Sequence, residues 1–388
     1  MGGLRVLITN VRLDEWTGTE LYVRDVARAL LARGHSPVAY SPRLGALAAE
    51  MRRETIPVVE DLSRLSVAPD IIHGHHANET LTALLHFPDA PAVYFCHDWY
   101  FKQDYPPAFP RVLRYVAVDA ACREKLVSEH GVPAERVAVL TQFFDAEKFR
   151  PRSAPLPPRP RRALVLCNYT KESEHLAAAR EACARARVEL DVRGAGVGRP
   201  CERPEEILGD YDVVFAKGRA ALEAAAVGAA VVVYWWRRLG PLVTPGELER
   251  LRQENFGVRV MGPQLTPEEF GREVGRALEL YDPAGAAEVS RRVRETSGRD
   301  ATIAQLLEIY EDAIAEHEAA PEPDRAAEAR AAAAHLRRIS LSFWEERSRV
   351  YNSTPFRLAE RLLKTPLVGR LARPFARVAA GRPARRDG

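Results

Sequence analysis

Short apolar runs alternate with amphipathic stretches over most of the chain, and this pattern predicts its architecture. Residues 4–9 form an apolar run with the length and composition of a buried parallel strand. After a polar loop over 10–17, Tyr22, Val26, Ala29 and Leu30 recur at helical spacing, and Gly34 stands where a helix C-terminal glycine belongs. Strands follow over 37–40, 70–73, 92–96, 112–118 and 136–140, with helices over 77–86 and 120–130. Alternation at this spacing predicts a mostly parallel sheet covered by helices on both faces.

Residues 150–162 carry so many prolines that they predict an extended linker. The alternation then restarts: strands over 163–167, 188–192, 212–216 and 230–234, helices over 172–186 and 218–227, and helical patterns from 266 to 317. Two doubly wound units of this size predict an α/β protein with two Rossmann-like domains, 1–150 and 160–318, facing a cleft. A second break at 318–323 begins an extension, 319–388, with a helical stretch to about 350. There Asn352-Ser353-Thr354-Pro355 signals another helix start, before a short amphipathic helix over 356–364.

Charge separates the extension from the body. The chain carries +3 overall, yet residues 337–388 hold 13 Lys/Arg against 4 Asp/Glu, a net +9 that leaves the rest at −6. An acidic body argues against a nucleic-acid-binding core. Two readings of the tail stand: a membrane-surface contact in which Phe356, Leu362, Leu363 and Phe375 dip into anionic lipid, or a helix packed on the body or on a second copy. The five cysteines are scattered and form no C-x-x-C pair, which predicts a cytoplasmic protein, peripheral on the inner membrane face under the first reading of the tail.

In open parallel sheets, ligands bind where strand ends enter helices. The strongest such segment is Phe215-Ala216-Lys217-Gly218-Arg219-Ala220-Ala221-Leu222-Glu223, in which two cations flank a glycine at a helix start. Free N–H groups, the helix dipole, Lys217 and Arg219 suit an anion, and Glu223 one turn on suits a ribose. An ordinary strand-to-helix turn with solvated cations fits the same residues. Asp210-Tyr211-Asp212 and Gly194-Ala195-Gly196-Val197-Gly198 resemble metal and dinucleotide motifs. The first stands at the wrong end of its strand and the second lacks the third glycine and a clear helix, so neither predicts a site. Asn255-Phe256-Gly257 reads as a structural turn ahead of a further strand, and no G-x-G-x-x-G follows the first strand, against a nicotinamide oxidoreductase.

The stretch Glu223-Ala224-Ala225-Ala226-Val227-Gly228 and the strand behind it resemble the nucleotide-binding helix of family 4 glycosyltransferases, which have the two-domain GT-B fold. Further likenesses are Thr17-Gly18-Thr19-Glu20 with Arg33-Gly34-His35, Asp70-Ile71-Ile72-His73-Gly74-His75-His76, and Phe95-Cys96-His97-Asp98-Trp99. The resemblance spans roughly residues 4–315. It implies transfer of a sugar from a nucleotide-diphosphate sugar to a glycan, lipid or small-molecule acceptor, with retention and without a catalytic metal or other cofactor. It implies His97 and Glu223 as catalytic residues. Gly18, Thr19, Asp98, Lys171, Lys217, Gly218, Arg219 and a donor loop at Gly240, Pro241 and Leu242 become substrate-binding. The family's first motif glutamate falls at Phe215 and the arginine of its pyrophosphate clamp is absent beside Lys171. These departures supply the alternative, a non-catalytic protein of the same fold that binds a sugar nucleotide or glycan.

Overall fold

The computed structural model describes residues 3–16, 18–98, 105–320 and 322–364. Thr17, Trp99 and residues 365–388, Phe375 included, for which the sequence predicts roles, lie outside them, as do the side chains of Leu362 and Leu363. The chain forms two compact units, residues 1–323 and 324–388.

The first unit holds two sheets. Strands β1 (Arg5–Thr9), β2 (Ser36–Tyr40), β3 (Val58–Val59), β4 (Ile71–His75), β5 (Ala92–Cys96), β6 (Val112–Ala117) and β7 (Val137–Val139) form a parallel sheet in the order β3-β2-β1-β4-β5-β6-β7. Its switch point lies between β1 and β4, where β1 pairs Val6 with Ile71 and Ile8 with His73. Helices α1 (Gly18–Ala32) and α2 (Ala46–Arg53) bury Tyr22, Val26, Leu30, Leu47 and Met51 on it. Helix α3 (Ala77–His86) lies against β4 and β5, and α4 (Ala120–Glu124) against β6 and β7. The helix expected over 120–130 is α-helical only to Glu124 and then widens into a π-turn, Lys125–Glu129.

The second sheet has the order β12-β11-β10-β8-β9, built from β8 (Arg162–Leu166), β9 (Glu189–Arg193), β10 (Val213–Ala216), β11 (Ala230–Trp235) and β12 (Arg238–Leu242). Along β10, residues alternate between the sheet's two faces. Val213 and Phe215 enter one core with α5 (Glu174–Arg185) and α9 (Pro267–Glu279), Val214 and Ala216 the other. That other core includes α7 (Gly218–Val227), α8 (Leu248–Gln253) and α10 (Pro283–Thr296). A short helix, α6 (Pro204–Ile207), precedes β10.

Strand β12 was expected as a loop. It instead folds back antiparallel on β11, pairing Tyr234 with Leu239 and Val232 with Leu242. Pro241 is tolerated because the strand is at the sheet edge, where a missing N–H breaks no ladder. The glycines at 194–198 also find their reason here. A Cβ on Gly194 would stand 2.1 Å from the Cys167 carbonyl oxygen, so the segment can lie against the turn after β8 only as glycine.

Helix α11 (Arg299–Ala319) returns to the first sheet and buries Ile303, Leu306, Tyr310 and Ala313 beside Tyr22, Val93 and Phe95. The first core is therefore made from two distant stretches of chain. The crossings are tied together: Phe144 N–H donates to the Ser297 carbonyl at 3.2 Å, and Arg299 pairs with Asp145 at 2.7 Å. The proline-rich linker is anchored too, with Arg152 bonded to the Val227 carbonyl through its N–H (2.9 Å) and to Asp212 (3.2 Å).

The second unit contains α12 (Arg325–Asn352) and α13 (Thr354–Lys364). Asp324 caps α12 by accepting from Ala327 N–H, and the Ser353 hydroxyl accepts from Phe356 N–H at the start of α13. No helix of the described residues is long and apolar enough to cross a membrane.

Candidate functional site

The loops after β5 and β6 face those after β8, β10 and β11 across a solvent-open cleft of about 680 Å³. Its walls include His97, Asp98 and Asp119 from the first sheet, and Tyr169, Lys217, Gly218, Trp235, Glu254, Asn255 and residues 257–259 from the second. Both sheets thus offer carboxyl ends of strands to the cleft: those of β5 and β6 from the first, and those flanking the β8/β10 switch point from the second.

The turn from β10 into α7 is unusually tight: the strand ends at Ala216 and the helix begins at Gly218. Gly218 makes the turn with φ +57°, in the left-handed region that costs glycine little. No side chain caps α7, and its first N–H, on Gly218, donates to the Phe256 carbonyl at 3.2 Å. Lys217 makes no hydrogen bond or ion pair among the described residues. Its ammonium sits 4.9 Å from the centroid of the Trp235 ring, a cation–π contact that holds it on the cleft wall. Tyr169 stands edge-on to the same indole at 6.2 Å.

Across the cleft, His97 Nε2 lies 2.7 Å from His75 Nδ1, and the Tyr22 ring packs edge-on to His97 at 4.9 Å. Burial, then the nearby His76, pushes the His97 imidazole down to about 3, so it is neutral near pH 7. The Asp98 carbonyl accepts from Lys125 Nζ at 3.3 Å, and it is His75, not Asp98, that holds His97. Asp119 caps α4 through Cys122 N–H at 2.7 Å, and burial pushes its carboxyl up.

Arg219 and Glu223 lie deeper, outside the cleft lining. Arg219 Nε donates to Glu223 at 2.6 Å, and its Nη2 pairs with Asp25 on α1. The guanidinium side chain is 11% exposed and the carboxylates 4% and 6%, so a buried ionic triad joins the two sheets' helices. Burial works to raise the Asp25 carboxyl, but the charges of Arg219 and Arg24 outweigh it and hold the group well below its usual range. At Glu223, burial outweighs Arg219 and the carboxyl is pushed up.

The other sequence-derived positions are dispersed. Gly18 and Thr19 begin α1, where the Thr19 hydroxyl donates to Glu20 at 3.1 Å. The Tyr169 phenol, on the cleft wall, is raised by burial first and then by neighbouring acidic groups, Asp98 foremost. Lys171 is exposed in the loop before α5, without an ion-pair partner among the described residues. Gly240, Pro241 and Leu242 are in edge strand β12 and do not line the cleft. Phe215 is 2% exposed and points into the core with Leu176, Tyr234 and Phe270, away from α7.

The segment 254–259 is a cleft wall that reading it as a structural turn missed. No strand follows it, only a 3-10 turn, Val258–Val260. Asn255 and Phe256 both adopt φ +48°, which swings the Phe256 carbonyl to Gly218 and the ring into the core. A left-handed pair of non-glycine residues has no simple sequence signature. Among the described residues, no three His, Cys, Asp or Glu side chains are arranged to hold a metal ion.

Residues 16–148 match the model of Glycosyltransferase Family 4. Over that stretch, which is less than half of the chain, the sequence is similar to family 4 glycosyltransferases. Its fold is similar to that of a glycosyltransferase from Rickettsia africae (TM-score 0.55, 14% identity, covering 81% of this chain and 99% of that one). It is also similar to Anabaena HepE in complex with UDP and glucose (0.54, 15%, 79% and 98%). A putative UDP-N-acetylglucosamine 2-epimerase from Listeria monocytogenes shares the fold as well (0.51, 15%, 82% and 97%). At such identities the likeness establishes the GT-B fold alone, and what the cleft binds must be argued from its own residues. No curated protein matches its sequence.

Proposed function

We propose that this protein is a glycosyltransferase that holds a nucleotide-diphosphate sugar in the cleft, with the diphosphate beside Lys217 and the start of α7, and passes the sugar to a glycan, lipid or small-molecule acceptor. The observation that carries the reading is Lys217, a cleft-wall cation with no carboxylate partner among the described residues, facing the loop that holds His97. An unpaired cation beside an uncapped helix start favours the charge that develops on a departing diphosphate. Asp98, Asp119 and Glu254 also line the cleft and suit sugar and ribose hydroxyls as acceptors. Retention of configuration, and chemistry without a catalytic metal, are what the family resemblance adds to the proposal.

Thermal shift with UDP, GDP and ADP, followed by titration calorimetry, tests it. One nucleotide should stabilise the protein, and Lys217→Ala should weaken its binding by about 10–100-fold, the value of a charge-assisted contact. Equal affinity in the variant, or no stabilisation by any nucleotide, refutes the assignment. Release or transfer of sugar from the matching donor separates an enzyme from the non-catalytic alternative.

A membrane-surface role for the second unit belongs to the same proposal. Helix α12 leaves Leu336, Phe343, Trp344 and Val350 exposed, Trp344 by 56%, with Arg347 stacked over Trp344 and Tyr351. Aromatic and basic side chains together suit an anionic lipid surface. The full chain should co-sediment with phosphatidylglycerol vesicles and not with phosphatidylcholine ones. Equal pelleting of the parent and a Phe343→Ser/Trp344→Ser variant would remove the membrane role.

A further inference from the structure

His73 and His75 on β4 and His97 just after β5 form a column running from the buried sheet to the cleft. The His73 and His75 rings are 4.5 Å apart, and those of His75 and His97 4.6 Å. His75 is fully buried; its Nδ1 faces His97 Nε2 at 2.7 Å, and its Nε2 has no hydrogen-bond partner. One proton is shared across the 2.7 Å contact, and its position fixes both rings.

If His97 donated it, the neutral His75 would carry its own proton on Nε2, a buried N–H with no acceptor. Such orphaned donors are rarer in proteins than orphaned acceptors, and one costs the full desolvation of the group. If His75 donates from Nδ1, its Nε2 is a bare lone pair. His97, accepting at Nε2, then carries its proton on Nδ1, which has no partner among the described residues, on a ring that lines the cleft. Tyr22 packs against both rings, at 5.7 Å from His75 and 4.9 Å from His97, and limits their rotation.

We propose that His75 is a positioning residue that fixes His97 as the Nδ1–H tautomer, so that His97 meets the bound donor as a hydrogen-bond donor and not as a base. The role toward the donor rests on the cleft being the nucleotide-sugar site; the tautomer does not. The low basicity of His97 agrees with it, since a neutral ring must have one tautomer or the other.

The tautomer is read directly from long-range ¹H–¹⁵N spectra of the full chain labelled at histidine. His97 is expected as Nδ1–H in the parent and in His75→Asn, whose amide nitrogen takes the place of Nδ1 as donor. In His75→Phe it should shift toward Nε2–H. With UDP-glucose as first probe, and the other donors if it is inert, His75→Phe should lower kcat about tenfold, one hydrogen bond's worth. UDP affinity should be unchanged and His75→Asn should restore most of the rate. An Nε2–H tautomer in the parent, or no change on His75→Phe, overturns the inference. Should no donor be turned over, the transfer reading fails and the spectra alone still decide the role of His75.

Discussion

Replacing Arg219 with methionine, similar in length but uncharged, tests whether the triad with Asp25 and Glu223 is structural. The guanidinium is one of the few charged groups joining α1 to α7, and it is nearly fully enclosed. Removing one partner of a buried ion pair costs about 3–5 kcal/mol, because the other charge stays behind unpaired. Asp25 keeps Arg24 at 2.9 Å, and the Glu223 carboxyl, already pushed up, can take a proton. Both reliefs place the expected cost near the lower end, about 3 kcal/mol. Urea unfolding followed by tryptophan fluorescence should show that loss, and Arg219→Met/Asp25→Asn should recover at least half of it, since the two sites share one interaction. UDP affinity, measured alongside, should fall far less than in Lys217→Ala. The reasoning is refuted if Arg219→Met unfolds at the parent's urea concentration while losing nucleotide binding: the guanidinium would then serve the ligand and not the fold.

Two further outcomes follow from the same geometry. Restoring the family's acid by Phe215→Glu should give no gain in turnover and destabilise the protein by several kcal/mol, because a carboxylate would replace a ring packed on Leu176, Tyr234 and Phe270; a stable, more active variant would show that position 215 reaches the donor. The two carboxylates should also respond oppositely to pH. The depressed Asp25 gives stability that is full above its unfolded value, about 3.9, and is lost as pH falls through its folded one. The raised Glu223 contributes below its unfolded value, about 4.3, and that contribution is lost as pH rises through its folded one. Relative to the parent, Glu223→Gln should gain stability as pH rises above about 4.3, and the deficit of Asp25→Asn should shrink below about pH 4. Parallel pH curves for all three proteins would contradict both assignments.

Much of the fold was legible because each element carried its own period. The apolar runs at 4–9 and 230–234 and the helix at 218–227 need only local pattern to be recognised. What was not legible depended on contacts. Apolar spacing over 303–313 marks a helix but does not say which of two sheets it covers. The segment 238–242, with a glycine and a proline, has the composition of a loop and becomes a strand only because β11 has an open edge beside it. At the site, Lys217 and Gly218 were legible from strand-end position and His97 and Asp98 from the family resemblance, and the structure brings all four to one cleft. The pairing of Arg219 with Asp25, 194 residues away, has no local trace, nor does the left-handed turn that makes 254–259 a wall.

The return of α11 to the first sheet orders events on the ribosome. Until residue 313 has emerged, the seat of Ile303, Leu306, Tyr310 and Ala313 stays open on a nascent sheet whose strands were finished by residue 139. That half-built surface is apolar around Tyr22, Val93 and Phe95, and its buried His73 lacks the Tyr310 hydroxyl that pairs with it in the finished fold. The second sheet has by then been synthesised in full, so the domain that begins first is completed last. A fragment cut at the proline-rich linker would keep that seat open for good, since it lacks α11 altogether.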